Sequence, residues 1–115
     1  MKTTYSSLLH QVRRQIKDDA QDVLDDATVK NTIMDALREL ASARPDARLD
    51  KFGRLRNVPA EWSEDPEQPV PLDEYYVPAL VALSLAKLHM RDGLDLKDEA
   101  LASRWMNRYT QLVGG

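Results

Sequence analysis

The chain has two histidines, His10 and His89, and they are the first place to look for chemistry. An imidazole can ligate a metal or act as a general base. These two lie far apart in sequence, and neither belongs to a His-Glu-x-x-His pair. A lone histidine on a helix is packing or surface far more often than ligand. The second candidate is the run Asp18-Asp19-Ala20-Gln21-Asp22-Val23-Leu24-Asp25-Asp26, whose carboxylates are oxygen donors of the kind calcium takes. It lacks the central glycine and the terminal glutamate of an EF-hand loop, so it reads as a solvated connector with Val23 and Leu24 tucked inward. A phosphate cradle is equally missing, because two of the four glycines are the terminal Gly114 and Gly115. No nucleophilic Ser motif is present, and with no cysteine neither a thiolate metal site nor a disulfide can form. Carboxylates are plentiful, yet nothing singles out a pair as acid and base. The expectation is a protein without catalytic residues, cofactor or metal.

Composition narrows the class. Hydrophobic residues make up 43% and charged residues 30% of 115 residues, which suits one soluble globular domain with a single core. No apolar run approaches the roughly 18 residues that suggest a membrane span. Met1-Lys2-Thr3-Thr4-Tyr5 lacks the apolar core of a signal peptide, so a cytoplasmic setting is expected. A net charge of −3 argues against a surface devoted to nucleic acid.

Periodicity predicts an all-α fold: a small bundle of about four helices, near 4–17, 28–43, 73–91 and 96–113, with a long irregular loop, 44–71, between the second and third. Thr3 or Thr4 can cap the first, where Tyr5, Leu8 or Leu9, Val12 and Ile16 recur at helical spacing and Arg13, Arg14 and Lys17 take the other side. Asp26 or Thr28 caps the second, with the stripe Val29, Ile33, Leu37 and Leu40 joined by Met34 and Ala41. Pro45 forces its end.

The last two helices form a hairpin about which the rest is organised. In its first arm Val77, Val81, Leu85 and Leu88 make one apolar row, and Tyr76, Leu80, Leu83 and Met90 a second. Ala79, Ala82 and Ala86 supply a flank of small residues that lets another backbone come close. An arm apolar over most of its circumference is either the central helix of a bundle or a helix shared with a neighbouring subunit. Asp73 caps it, Glu74 suits the positive end of the helix dipole, and Leu72 and Val77 stand in the positions of a hydrophobic staple. Pro78 removes the hydrogen bond to the Glu74 carbonyl, which predicts a kink or a tight first turn. Gly93 supplies the stop, and the second arm places Leu101, Trp105, Tyr109 and Leu112 on one face, with Ala102, Met106 and Val113 beside them.

The long loop is polarised in charge. From 44 to 56, Arg44, Arg48, Lys51, Arg54 and Arg56 outweigh Asp46 and Asp50, a net +3. From 57 to 74 there are Glu61, Glu64, Asp65, Glu67, Asp73 and Glu74 and no Lys or Arg, a net −6. Such a segment is either a solvated loop or a surface for head-to-tail contact between identical subunits, the basic half of one meeting the acidic half of the next. Residues 49–56 suit a short strand or hairpin around Gly53.

Ile33-Met34-Asp35-Ala36-Leu37-Arg38-Glu39-Leu40, closed by Arg44-Pro45-Asp46-Ala47, and then Val70-Pro71-Leu72-Asp73-Glu74-Tyr75-Tyr76-Val77-Pro78-Ala79-Leu80-Val81, resemble the small head-to-tail adaptor, or connector, proteins of tailed bacteriophages. The order of elements is similar too. Where those proteins often carry further aromatics this chain has Ala82-Leu83-Ser84-Leu85, and their middle loop is often more strand-like. The resemblance implies a virion protein assembled in the host cytoplasm: a homo-oligomeric ring, usually twelve-fold, beneath the portal of the DNA-filled head, with tail or nozzle proteins below. DNA passes its lumen without sequence-specific binding, and no membrane is involved. Arg44, Arg48, Lys51, Arg54 and Arg56, with Glu61, Trp62, Glu64, Asp65 and Glu67 and the small flank Ala79, Ala82 and Ala86, are then the expected subunit or portal contacts. The alternative is a small helical nucleic-acid-binding or regulatory module, of the terminase small subunit or helix-turn-helix kind, using Arg13, Arg14 and the basic residues from 44 to 56.

Overall fold

The structure is a computed structural model and describes residues 3–16, 25–50, 52–90 and 99–114. Among these residues there are four α-helices: α1 (Tyr5–Ile16), α2 (Asp26–Ala43), α3 (Val77–Met90) and α4 (Glu99–Gly114). No strand occurs among them, only the isolated bridges Thr4 to Pro69 and Leu49 to Leu55. The all-α bundle with a long connection after its second helix is therefore present. The acidic connector with Val23 and Leu24, the stop at Gly93 and the start of the last helix before Glu99 lie outside the described residues.

The central element is α3. Eleven of its 14 residues are buried, and it packs on α4, α2 and α1. Leu80, Leu83, Leu85 and Leu88 have no exposed surface, and at roughly 1.5–3 kcal/mol for each fully buried large apolar side chain they form the densest part of the core. Ser84 is the polar exception, and its hydroxyl donates to the Leu80 carbonyl at 2.8 Å, so the helix itself satisfies it. Ala79, Ala82 and Ala86 are each 1% exposed. This corrects the expectation of an open flank, because the chain's own elements close over it. The small residues serve approach within the bundle. Met90, at the other end of the apolar rows, is exposed.

The start of α3 follows from its sequence. Asp73 accepts from the Tyr75 N–H at 2.9 Å, and Leu72 and Val77 are both buried at the staple positions. A 3-10 turn, Glu74–Tyr76, precedes the α-helix, and the Val77 N–H donates to the Glu74 carbonyl. That contact satisfies the carbonyl that Pro78 cannot reach, giving the tight first turn expected of the proline.

Two details at α1 and α2 differ from the expected pattern. The cap of α2 is Asp25, which accepts from the Thr28 N–H at 2.8 Å, in place of Asp26 or Thr28. Asp26 is thereby released to face Arg13. That arginine is buried on the core side of α1 with Leu8 and Val12, and not on the solvent side with Arg14. The α2 stripe Val29, Ile33, Leu37 and Leu40 is fully buried, and Lys87 of α3 meets Glu39 of α2 at 2.6 Å on its border.

Candidate interaction surface

The segment from Arg44 to Asp73 is irregular yet tied down along its length. Its first half begins with a 3-10 turn, Pro45–Arg48, whose Ala47 is buried in the core. The Ala47 carbonyl accepts from the Asp73 N–H at 2.8 Å, so the two ends of the segment meet. Tyr76 adds a second tie: its hydroxyl donates to Asp46 Oδ2 at 2.6 Å and accepts from Arg44 Nη2 at 3.3 Å.

Between these ties a small hairpin projects. Asp50 Oδ1 accepts from the N–H groups of Phe52, at 2.8 Å, and Arg54, at 3.0 Å. Gly53 turns the chain with φ +78, a left-handed conformation that glycine adopts without strain. Below the turn the two arginines brace each other's backbone. Arg48 Nε donates to the Arg56 carbonyl at 2.7 Å, while Arg56 donates from Nε to the Arg48 carbonyl at 3.2 Å and from Nη2 to the Leu49 carbonyl at 3.0 Å. Their role is internal to the hairpin, which the charge pattern alone did not disclose. Arg44 and Arg54 are exposed, the latter with its guanidinium 6.0 Å from the Phe52 ring centroid. Lys51 lies outside the described residues.

At the tip, Phe52 is 73% and Leu55 57% exposed, and Tyr75 beside the helix cap is 74% exposed. Aromatic residues and arginine are enriched at interfaces, and Phe52, Arg54 and Leu55 stand exposed together at this tip. In the sequence Phe52 and Leu55 are only scattered apolar residues of the long segment. The signal that could have placed them outward was the Asp50-x-x-Gly53 spacing, which makes the turn too tight to fold its own side chains beneath it.

The acidic half is fixed against α1 and α2. Trp62 is half-buried, edge-on to Tyr5 with ring centroids 4.9 Å apart and with Lys30 Nζ 5.9 Å from its centroid. It is an anchor of the loop. Arg38 of α2 donates to the Ala60 carbonyl. Further on, the loop caps α1 with its own backbone, the Tyr5 N–H donating to the Gln68 carbonyl at 3.1 Å and the Ser6 N–H to the Pro66 carbonyl at 3.0 Å, while the Ser7 N–H donates to the Thr4 hydroxyl oxygen Oγ1 at 3.2 Å. Three of the N–H groups that a helix leaves unpaired at its start are thus satisfied, two of them by residues sixty or more positions away. The Thr3 hydroxyl donates to Glu74 at 2.8 Å beside them. Glu61, Glu64, Asp65 and Glu67 all remain exposed. Beside Tyr5 the loop leaves a groove of about 320 Å3 lined also by Pro59, Glu61, Pro69 and Pro71 among others.

Two carboxylates here sit below the ordinary range. Asp46 is held down first by the hydrogen bond from Tyr76 and then by Arg44, and Asp25 by its bond from Thr28. The Tyr76 hydroxyl is pushed up, chiefly by donating to Asp46. These shifts belong to structural ties. No group of three His, Asp or Glu side chains that could hold a metal occurs among the described residues, and no helix among them is long and apolar enough to cross a membrane.

The surface is therefore a braced loop with Phe52 and Arg54 at its tip in one place and a proline-lined groove holding Glu61 in another. No family model, curated protein or solved structure matches the chain.

Proposed function

We propose that this chain is a subunit of the ring that joins the portal of a tailed-phage head to the tail and lets DNA pass through. The observation that carries the reading is the segment from Arg44 to Asp73: it is clamped to α1, α2 and the start of α3, yet it holds Phe52, Leu55 and four carboxylates out into solvent. A loop that only connected helices would not need so many ties, nor present Phe52 and Leu55 at its tip. Together with the resemblance of Ile33–Ala47 and Val70–Val81 to phage adaptors, this supports an assembly role, with a homo-oligomeric ring, twelve-fold by that resemblance, and the portal and tail proteins as partners.

Negative-stain electron microscopy of the purified protein mixed with the portal of the same phage tests the reading. Extra ring density on the portal is expected, and a portal that stays bare over a range of concentrations overturns it. The nucleic-acid-binding alternative predicts instead a salt-sensitive shift of duplex DNA by the isolated chain. It is weakened by Arg13, which is buried against Asp26, and by Arg48 and Arg56, which donate to backbone carbonyls.

A further inference from the structure

We infer that the hairpin tip carrying Phe52, Arg54 and Leu55 docks into the groove formed by Tyr5, Pro59, Glu61, Pro69 and Pro71 on a second copy of this chain. The inference rests on the ring reading and names the contact between neighbours within it.

The tip has the composition of an interface anchor, an open aromatic ring with an arginine beside it. The groove offers a matching site. Its prolines present apolar surface without any N–H to be stranded on desolvation, and its Tyr5 floor is held by the bond to Gln68 and the edge contact with Trp62. Charge selects the pairing. The tip presents the exposed Arg54, while Glu61 lines the groove and the exposed Glu64, Asp65 and Glu67 follow on the same segment, which holds no Lys or Arg between 57 and 72. A nucleic-acid backbone would be repelled by that acidic stretch, and a basic tip is drawn to it.

Within one chain the tip does not fill its own groove, since Phe52 is largely exposed and is not among the groove's lining residues. Knob and groove are different surfaces of the same molecule. Their contact is heterologous, so it repeats head to tail and either closes into a ring or runs on as a filament. Both partners are already braced by Asp50, Arg48 and Arg56 on one side and by the cap of α1 on the other, which lowers the ordering cost of association.

The absence of native cysteine makes the test direct. Leu55→Cys and Ser63→Cys variants, one at the tip and one in the groove, are purified separately, mixed in equal amounts and mildly oxidised, with and without portal. The expected product is a mixed disulfide dimer in excess of either like-with-like dimer, and a chain carrying both substitutions should give a ladder of oligomers. Adding Phe52→Asp or Arg54→Glu to the tip variant should lower the mixed product roughly tenfold or more. Glu61→Arg on the groove variant should restore it with Arg54→Glu. Circular dichroism checks that each variant folds, as expected for positions that are exposed or, at Ser63, half-buried. No mixed product in either arm, or a product indifferent to Phe52→Asp, overturns the inference. Rings on the portal without the tip-to-groove disulfide overturn it while leaving the adaptor reading standing. A disulfide without portal binding does the reverse.

Discussion

Arg13 of α1 and Asp26 of α2 form a two-donor contact at the edge of the core: Nε lies 2.9 Å and Nη2 2.7 Å from the same carboxylate oxygen, Oδ1. The arginine side chain is 7% exposed and the aspartate 41%. One end of the pair is therefore desolvated and the other is wet. Removing the acid takes two hydrogen bonds from a buried guanidinium, whereas replacing the base with an apolar chain of similar length removes the buried charge itself. Asp26→Ala is expected to cost about 1–3 kcal/mol, discounted for the open side. Arg13→Met should cost less. Urea denaturation of both variants checks the order, and a larger loss for Arg13→Met contradicts it.

Leu80 and Leu83 sit on α3 with no exposed surface. A carboxylate at either position would have to enter the interior without a partner. Leu80→Asp and Leu83→Asp are each expected to abolish cooperative folding, and Leu80→Ala to cost about 2–5 kcal/mol. Thermal unfolding followed by circular dichroism reads both. Near-native melting of the two aspartate variants would mean that this row does not form the core.

The Asp46–Tyr76 bond makes stability depend on pH at both ends of the range. Asp46 has a lowered pKa, so its contribution is complete above about pH 4 and is lost as pH falls through the folded value. Tyr76 has a raised pKa, so its contribution is complete below about pH 10 and is lost as pH rises through the folded value. The stability difference between the wild type and Tyr76→Phe should be largest at neutral pH and shrink toward both extremes. Denaturation midpoints measured from pH 3 to pH 11 would show this, and a pH-independent difference would count against the tie.

Gly53 has open space where a Cβ would stand, so any strain from substitution comes from its φ of +78 alone. Gly53→Val places a β-branched residue in the left-handed region, at a local cost of about 1–2 kcal/mol. Because the tip is exposed, global stability should hardly move. Amide hydrogen exchange at Phe52 and Arg54, whose N–H groups bond Asp50, should accelerate instead. Unchanged exchange there would show that the turn does not need the glycine.

Much of the bundle was legible from local pattern. The stripe Val29, Ile33, Leu37 and Leu40 repeats with the period of a helix, and all four are buried. Asp73, Leu72, Val77 and Pro78 lie within a few residues of one another, so the cap, the staple and the tight turn are settled by neighbours in sequence.

What the pattern could not disclose depends on partners far along the chain. Periodicity marks Ala79, Ala82 and Ala86 as a flank that something may approach, in the sense of having room, but not that the chain's own elements close it. Charge counting treats Arg48 and Arg56 alike with Arg54, although two of them bind backbone carbonyls across the hairpin. Likewise nothing local to Tyr5 and Ser6 says that Gln68 and Pro66 will cap them.

The sequence by itself thus determined which segments are helical, which faces of them are apolar, and that a charge-split loop separates two helical pairs. Only the tertiary structure decided where that loop lies, that Arg13 turns inward to Asp26, and that Phe52 and Leu55 stand outside. The physical reason is range: helix propensity, capping and amphipathic spacing act over a turn or two, whereas burial and loop hydrogen bonds depend on which distant groups the collapsed chain brings together.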